Sequence, residues 1–408
     1  MEKTIRDVVY GFIELDAQEC QIVNHAAFQR LKWIKQLALT DMVYPGATHT
    51  RFEHSLGVMQ MATDMYDCIV GNNSNKEMLK TIFCLEDSGI GRYRKLIRLA
   101  ALLHDIGHPP FSHSGEDLMP LDPCDPNKER RYKHEQYSIT IIKKEFRSII
   151  ENEPNYKFKA EDVTLLLGDT TGEPDALSFL WKELISGQLD ADRADYLLRD
   201  SIHLGVKYGV YDRNMLVKNM TLSRDNETDS LSVAVKEKAW HVAEGLVIAR
   251  YQMFTQVYFH KVRRIYDYHI AMATKEVLKN KGREDMCYPE PDNIEEYLTY
   301  DDTIIMAEIR SGRGGKHGDI IKNRNHYKLD YKTELIATEE EKTEINKRVI
   351  EYEGKEHYHD SKMKAEWYKE GKEIYIADGG KLQFLKTKSR IVESMMVCPT
   401  LERFYIPK

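Results

Sequence analysis

RYRKLIRLAALLHDIGHPPFSHSGE, residues 92–116, is the stretch that decides the fold. Leu96, Leu99, Ala100 and Leu103 recur at helical spacing and form one apolar stripe, which predicts a helix over 92–107. Pro109 and Pro110 then stop it, because proline lacks an amide donor and clashes with the preceding turn. The buried stripe carries His104 and Asp105 to the C-terminal lip of the helix, where an imidazole and a carboxylate can both reach one ion. His108 lies four residues after His104, on the same face if the helix continues that far, and His113 can fold back over the pocket after the proline turn. Such a ligand set suits Mn, Fe, Zn or Ni and, less comfortably, Mg. A divalent ion of this kind neutralises phosphate charge and lowers the pKa of water. A histidine beside it, with an ordinary pKa near ~6.5, can protonate a leaving oxygen.

A His-Asp pair alone is commonly two polar surface residues, and its weight comes from what surrounds it. Of the 15 histidines, residues 25, 49, 54, 104, 108, 113 and 134 all fall in the first third of the chain. His54 stands near the start of a helix in RFEHSLGV (51–58) and offers another imidazole. Asp190-Ala191-Asp192 opens a later helix and offers a distal carboxylate, while Arg51 offers a guanidinium suited to phosphate. His134 is a further candidate on the same pocket.

Periodicity predicts helices over 22–39, 53–70, 134–150, 161–167, 175–185, 189–202 and 236–280, a polar loop over 71–78, and a hairpin over 218–235 turning at Arg224-Asp225-Asn226. After residue 281 the texture changes: GREDMCYPEPDN and RSGRGGKHGD read as loops, and the tail mixes charged helix with short strands such as EIYIA and RFYIP. The expected architecture is mostly α: residues 1–280 form a multi-helix catalytic core with one small β-hairpin, and 281–408 a smaller mixed α+β appendage suited to oligomerisation. Across its 408 residues the chain is 42% hydrophobic and 31% charged, enough for a sizeable core. A formal net charge of −7 argues against general nucleic-acid binding. No run approaches the roughly 18 apolar residues needed to span a bilayer, so no membrane partner is expected. The N-terminus lacks the apolar core of a signal peptide, and the six cysteines form no CxxC pair, so a reducing, cytoplasmic setting is expected.

FQRLKWIKQL, YPGATHTRFEHSLGV, HDIGHPPFSHSGE, YKHEQYS and DADRADYLLRDSIHLGV, in this order, resemble the HD-domain superfamily and within it the dNTP triphosphohydrolases. The match runs from Ile5 to Asp212, and more loosely to His269. Because it begins at the N-terminus, the SAM domain of the human member is expected to be absent. The resemblance implies that His54, His104, Asp105 and Asp192 hold the divalent metal ion, and it assigns Arg51 to the substrate phosphates. It places His108, His113, His134 and Glu116 on the catalytic side, with His113 as the general acid and Glu116, an Asp in the human member, orienting it. Gln36 and Leu37 match positions lining the deoxyribose pocket. Tyr196 matches the aromatic ring that leaves no room for a 2′-hydroxyl, and Asp200 the carboxylate that accepts from the 3′-hydroxyl. Arg193 falls where a phosphate-binding lysine sits. An ordinary core role for Tyr196 and Leu37 stays open.

The expected activity is metal-dependent hydrolysis of a dNTP to deoxynucleoside and inorganic triphosphate. Two other readings stay open: an HD phosphohydrolase or phosphodiesterase acting on another nucleotide or on single-stranded nucleic acid, and a nucleotide-sensing protein without turnover. The resemblance also implies a homo-oligomer, dimer or tetramer, with an allosteric nucleotide activator at subunit interfaces. Here the sequence departs from the pattern. Gln29 is kept, but the positions that recognise a guanine activator carry Asn24 and Lys32, replacing a carboxylate by an amide and a bidentate guanidinium by a point charge. Lys32 can equally be a solvated surface residue. Tyr258, His260, Lys261, Arg263 and Arg264 form a basic-aromatic cluster with no individual role assigned, and a solvated helix face is an equal reading of it.

Overall fold

The computed structural model describes every residue except 1, 128, 172–174, 225–229, 362–366, 369–372, 380 and 397–398. The described chain is mostly helical, with small sheets. α1 (Arg51–Val70) starts where Glu53 accepts from the Thr50 backbone N–H at 3.1 Å, and it buries Leu56, Val58, Met59, Met61 and Met65. It packs against α2 (Asp87–Leu103), whose apolar stripe from Leu96 to Leu103 is fully buried. α3 (His134–Ile141) closes over the end of α2, and α4 (Ala191–Leu204) lies along α1. Two close approaches need glycine. A Cβ at Gly57 would lie 2.0 Å from Asp195 Oδ1 across the α1–α4 contact, and one at Gly107 would lie 2.3 Å from His134 O and from Ser138 N on α3. These contacts bring the N-terminal turns of α1 and α4 to the C-terminal end of α2.

Several predicted elements differ in a way that matters for the site. The segment 22–39 is not one helix. Helices Ala17–Asn24 and Ala26–Gln29 are separated at His25, whose side chain accepts from Ala27 N, and the 3-10 turn Arg30–Trp33 follows. The chain then extends through Ile34, and Ala38 sits at φ +49°. The helical spacing of its apolar residues reflects burial from several sides rather than a continuous rod. α2 ends at Leu103, earlier than 107, so His104 to Gly107 form a turn. Residues 73–83 are helical rather than loop, because Asn72 caps that helix by accepting from Ser74 N. The long 236–280 prediction divides into α5 (Trp240–Met253), a π turn at Phe254–Tyr258, and α6 (Lys261–Asn280).

Strands β1 (Lys3–Asp7) and β2 (Gly11–Leu15) form an N-terminal hairpin. The expected hairpin at 218–235 appears as β3 (Met220–Arg224) paired with β4 (Leu231–Lys236); Asp225 and Asn226 of its turn lie outside the described residues. A later hairpin extends this sheet through a parallel pairing of Tyr375–Asp378 with β4. A second sheet joins Lys328–Lys332, Arg403–Ile406 and Tyr358–Asp360. The GGKHGD stretch is not loop but the start of helix Gly315–Asn323, which packs on α6 beside helix Asp302–Arg310. No helix among the described residues is long and apolar enough to cross a membrane.

A buried ion network ties the first helix to α2. Glu19, fully buried, accepts from Arg98 Nε at 2.7 Å, from Arg98 Nη2 at 2.8 Å and from Lys95 Nζ at 3.0 Å. Burial raises the Glu19 carboxyl, but the two cations overcome it and hold it at about 2. Glu19→Gln leaves buried Arg98 without a carboxylate partner and Lys95 with Asp16 alone, and is expected to lower unfolding stability by about 3 kcal/mol in denaturant titrations. Because the folded-state pKa is depressed, the wild-type contribution is complete above the ordinary value of 4.5 and is lost as pH falls toward about 2. Acid unfolding followed by circular dichroism should therefore show wild type and Glu19→Gln converging at low pH.

Candidate active site

His54 (α1), His104 and Asp105 (the end of α2) place their ligand atoms within 4.8 Å of one another. Asp105 Oδ1 is 3.3 Å from His104 Nε2, and Asp105 Oδ2 is 3.5 Å from His54 Nε2. From the first turn of α4, Asp192 Oδ1 comes to 3.0 Å from His54 Nε2 and 3.9 Å from His104 Nε2. The four residues that the resemblance implies as ligands thus lie together. Whether they suit an ion can be read from their outer partners. His104 Nδ1 donates to the Ala101 carbonyl at 2.8 Å, which leaves Nε2 as the free lone pair. That Nε2 is buried and makes no hydrogen bond among the described residues. His54 Nδ1 faces Asp195 Oδ2 at 2.8 Å, so its Nε2 points at Asp192 and Asp105. Burial lowers the His54 imidazole, yet the carboxylates of Asp192 and Asp195 raise it to about 10. This ring of carboxylates favours positive charge, and the donor set of two imidazoles and two carboxylates fits a divalent cation.

A second cluster adjoins it. His108, His113, Glu116 and His134 bring their ligand atoms within 4.8 Å of one another. Glu116 bridges the imidazoles: Oε2 lies 3.2 Å from His113 Nδ1 and Oε1 lies 2.6 Å from His134 Nδ1. Burial raises the Glu116 carboxyl, but the two imidazoles hold it well below the usual range, while Glu116 in turn lifts His134 to about 9 against its own burial. His108 stacks on His134 with centroids 3.8 Å apart and reaches Asp105 Oδ1 at 3.3 Å, linking the two clusters. Burial, with the Arg51 and His134 charges, pushes the His108 imidazole well down. His113 is 64% exposed, so its ring is accessible from solvent.

Beside both clusters lies a cavity of about 480 Å³ lined by Gln36, Leu37, Arg51, His113, Asp192, Arg193, Tyr196 and Asp200. Residues that sequence reading left without a role also line it: Arg250, Phe254, Tyr258, Arg263 and Arg264. Arg51 spans the site, with Nε donating to Ser112 Oγ at 2.9 Å and Nη1 paired with Asp105. Arg193 pairs with Asp190 at 2.5 Å. Arg250 is buried, donates to the Trp367 carbonyl at 3.1 Å, and its Nε makes no hydrogen bond among the described residues. Burial lowers its pKa. Asp200 accepts from Tyr258 Oη at 2.6 Å and faces His49 Nε2 at 2.7 Å. Arg263 and Arg264 are engaged with the Tyr258 carbonyl and with Asp360. A signal for Arg250 was present: a single cation inside the apolar run GLVIARYQMF. Asp195 and Arg199 were equally legible as an i,i+4 pair in DYLLR. Outside the cavity, Asn24 is exposed, Gln29 donates to the Val23 carbonyl at 2.6 Å, and exposed Lys32 sits 4.6 Å over the Phe52 ring.

The HD domain model matches residues 51–200, and the HD associated region model matches residues 211–361. The chain belongs to the HD-domain family. An uncharacterized protein of Methanocaldococcus jannaschii is 34% identical over 308 residues, covering 76% of this chain and 55% of its own. The human deoxynucleoside triphosphate triphosphohydrolase SAMHD1 is 29% identical over 343 residues, covering 76% of this chain and 51% of its own. The chain thus spans about half the length of the curated relatives it matches. Among solved structures, a phosphohydrolase of Bacteroides thetaiotaomicron superposes with a TM-score of 0.74 at 25% identity over 100% of both chains.

Asp195 supports His54 from behind without reaching the ion position, so it serves as a direct check of the cation reading. Asp195→Asn is expected to weaken divalent-ion affinity by about 10- to 100-fold, measured by competition with a chelating dye.

Proposed function

We propose that the chain hydrolyses deoxynucleoside triphosphates to deoxynucleoside and inorganic triphosphate. The observation that carries this reading is the composition of one cavity. Arg51, Arg193 and Arg250 supply cations for a polyphosphate, while Gln36, Leu37, Tyr196 and Asp200 supply a partly apolar, hydrogen-bonding end for a deoxyribose. The HD domain, the human triphosphohydrolase among the relatives and the phosphohydrolase of similar fold support the same class of reaction.

In this reading His54, His104, Asp105 and Asp192 hold a divalent ion, of the Mn, Fe, Zn, Ni or Mg class. When bound, such an ion neutralises phosphate charge and supplies water as a nucleophile near neutral pH. The guanidiniums of Arg193 and Arg250 orient the β- and γ-phosphates. Water attacks the α-phosphorus and gives up a proton to solvent, the bond from phosphorus to the 5′-oxygen breaks, and His113 protonates that oxygen from Nε2 and then regains a proton from solvent. Glu116 Oε2 faces His113 Nδ1 at 3.2 Å, which fixes the ring orientation and leaves Nε2 for the substrate. Tyr196 packs where a 2′-hydroxyl would project, so a ribonucleotide is rejected by sterics and desolvation. Asp200 accepts from the 3′-hydroxyl, in exchange for one of its present donors.

Incubation with each dNTP and Mn or Mg, followed by chromatography, is expected to yield deoxynucleoside and triphosphate. Persistent absence of both, with and without a second dNTP as activator, would overturn the proposal. His113→Ala is expected to lower kcat by about 10²- to 10⁴-fold with the bound ion retained, and unchanged turnover would remove the acid role. Assembly into a homo-oligomer with nucleotide at its interfaces is proposed alongside. Sedimentation velocity with and without dNTP tests it, a monomer under both conditions being the contrary result.

A further inference from the structure

We propose that Asp302, far along the chain from every residue assigned above, is a positioning residue that holds the two walls of the cavity in register. The inference rests on reading that cavity as the dNTP site. One wall is the turn carrying Gln36 and Leu37; the other is the turn after Pro110 that carries His113. Asp302 opens the helix Asp302–Arg310, is 5% exposed, and uses one oxygen for each wall. Oδ1 accepts from Phe111 N–H at 2.6 Å, and Oδ2 accepts from Lys35 N–H at 2.9 Å. Lys35 directly precedes Gln36, and Phe111 is two residues before His113.

The turn needs such a tie. Phe111 and Ser112 both lie in the left-handed region, at φ +61° and +54°, where side-chain-bearing residues are strained and persist only when neighbours over-determine them. Ser112 adds a second tie between the same walls: its Oγ donates to the Lys35 carbonyl at 2.7 Å and accepts from Arg51 Nε at 2.9 Å. The segment just before Asp302 anchors the adjoining loop as well, with Tyr297 Oη donating to the Gly107 carbonyl at 2.7 Å. Arg30 bonds the carbonyls of Tyr300 at 2.8 Å and His108 at 3.1 Å. Two buried N–H groups facing each other across a gap need an acceptor at each end and a donor at neither. A carboxyl group meets that need, since both oxygens keep a lone pair in either protonation state. An amide would turn its NH₂ toward one of the two N–H groups.

Asp302→Asn is therefore the informative variant. It is expected to lower kcat for dNTP hydrolysis by about a hundredfold, the effect of misplacing an acid by about 1 Å, with KM changed much less. The stoichiometry of bound Mn should stay at the wild-type value, because Asp302 touches none of the four residues proposed to hold the ion. Hydrogen exchange should quicken in peptides covering Lys35 or Phe111. Ile345→Ala, a core truncation in the remote helix Glu339–Glu351, gives a control that lowers Tm with kcat and KM unchanged. Wild-type kcat in Asp302→Asn, loss of its Mn, or an equal fall of kcat in Ile345→Ala would each overturn the positioning role. If Asp302→Asn does not fold, wild-type exchange decides: both amides should exchange at least tenfold more slowly than the same amides in the urea-unfolded chain, and equal exchange overturns the tie. A wild type inert toward every dNTP would instead sink the substrate reading, and the exchange data would still report on Asp302.

Discussion

Negative charge crowded around two buried imidazoles is the constraint on which the rest of the site depends. Asp105, Asp192 and Asp195 all face His54 or His104, and the buried Asp105 and Asp195 cannot carry charge without compensation. The chain compensates from several directions. Arg199 pairs with Asp195 at 2.9 Å and reaches Asp7 in the N-terminal hairpin at 2.8 Å. Arg51 pairs with Asp105, and the space between the imidazoles remains the natural place for a cation. The contact that brings Asp195 behind His54 is tight enough to demand Gly57, so backbone packing and electrostatics specify one geometry together.

Charge is graded across the remainder of the site. On one side of His108 lie the four carboxylate and imidazole groups around the ion position; on the other, Glu116 keeps His134 positive and bonds His113. Burial and the flanking cations disfavour a charge on His108 itself, which stacks between the two clusters. A neutral ring at that point separates the carboxylate-rich centre suited to a cation from the centre proposed to handle a proton. The exposed position of His113 suits the acid role proposed for it, which needs contact with both substrate and solvent.

The region after α6 contributes more to the site than its loop-like composition suggests. Tyr288 N donates to the Leu118 carbonyl at 2.9 Å, Tyr297 Oη donates to the Gly107 carbonyl, and the Tyr300 carbonyl holds Arg30, which in turn bonds the His108 carbonyl. These bonds satisfy backbone groups that the sharp turn after α2 would otherwise leave buried and unpaired. A turn that places several histidines within a few residues cannot continue the α2 hydrogen-bond ladder, and distant segments supply the missing partners.

The sequence by itself determined the mostly helical class, because the apolar stripes of 53–70 and 92–103 have a helical period and clear ends. Helix ends rich in ligand-type residues drew attention to His54, His104, Asp105 and the Asp190-Ala191-Asp192 stretch, and the resemblance to the HD-domain superfamily picked Asp192 from the last. Local pattern could not reveal what depends on contacts from elsewhere. The breaks at His25 and Ala38 were hidden, because residues 22–39 are buried from several sides and mimic a helical period. Asn72 as a cap was likewise overlooked among polar neighbours. The presence of Arg250 beside Arg51 and Arg193 in one cavity and the two-handed grip of Asp302 were decided only by tertiary structure. Each joins groups far apart in the chain, and their energies come from desolvation and hydrogen-bond geometry that exist only once the chain has folded.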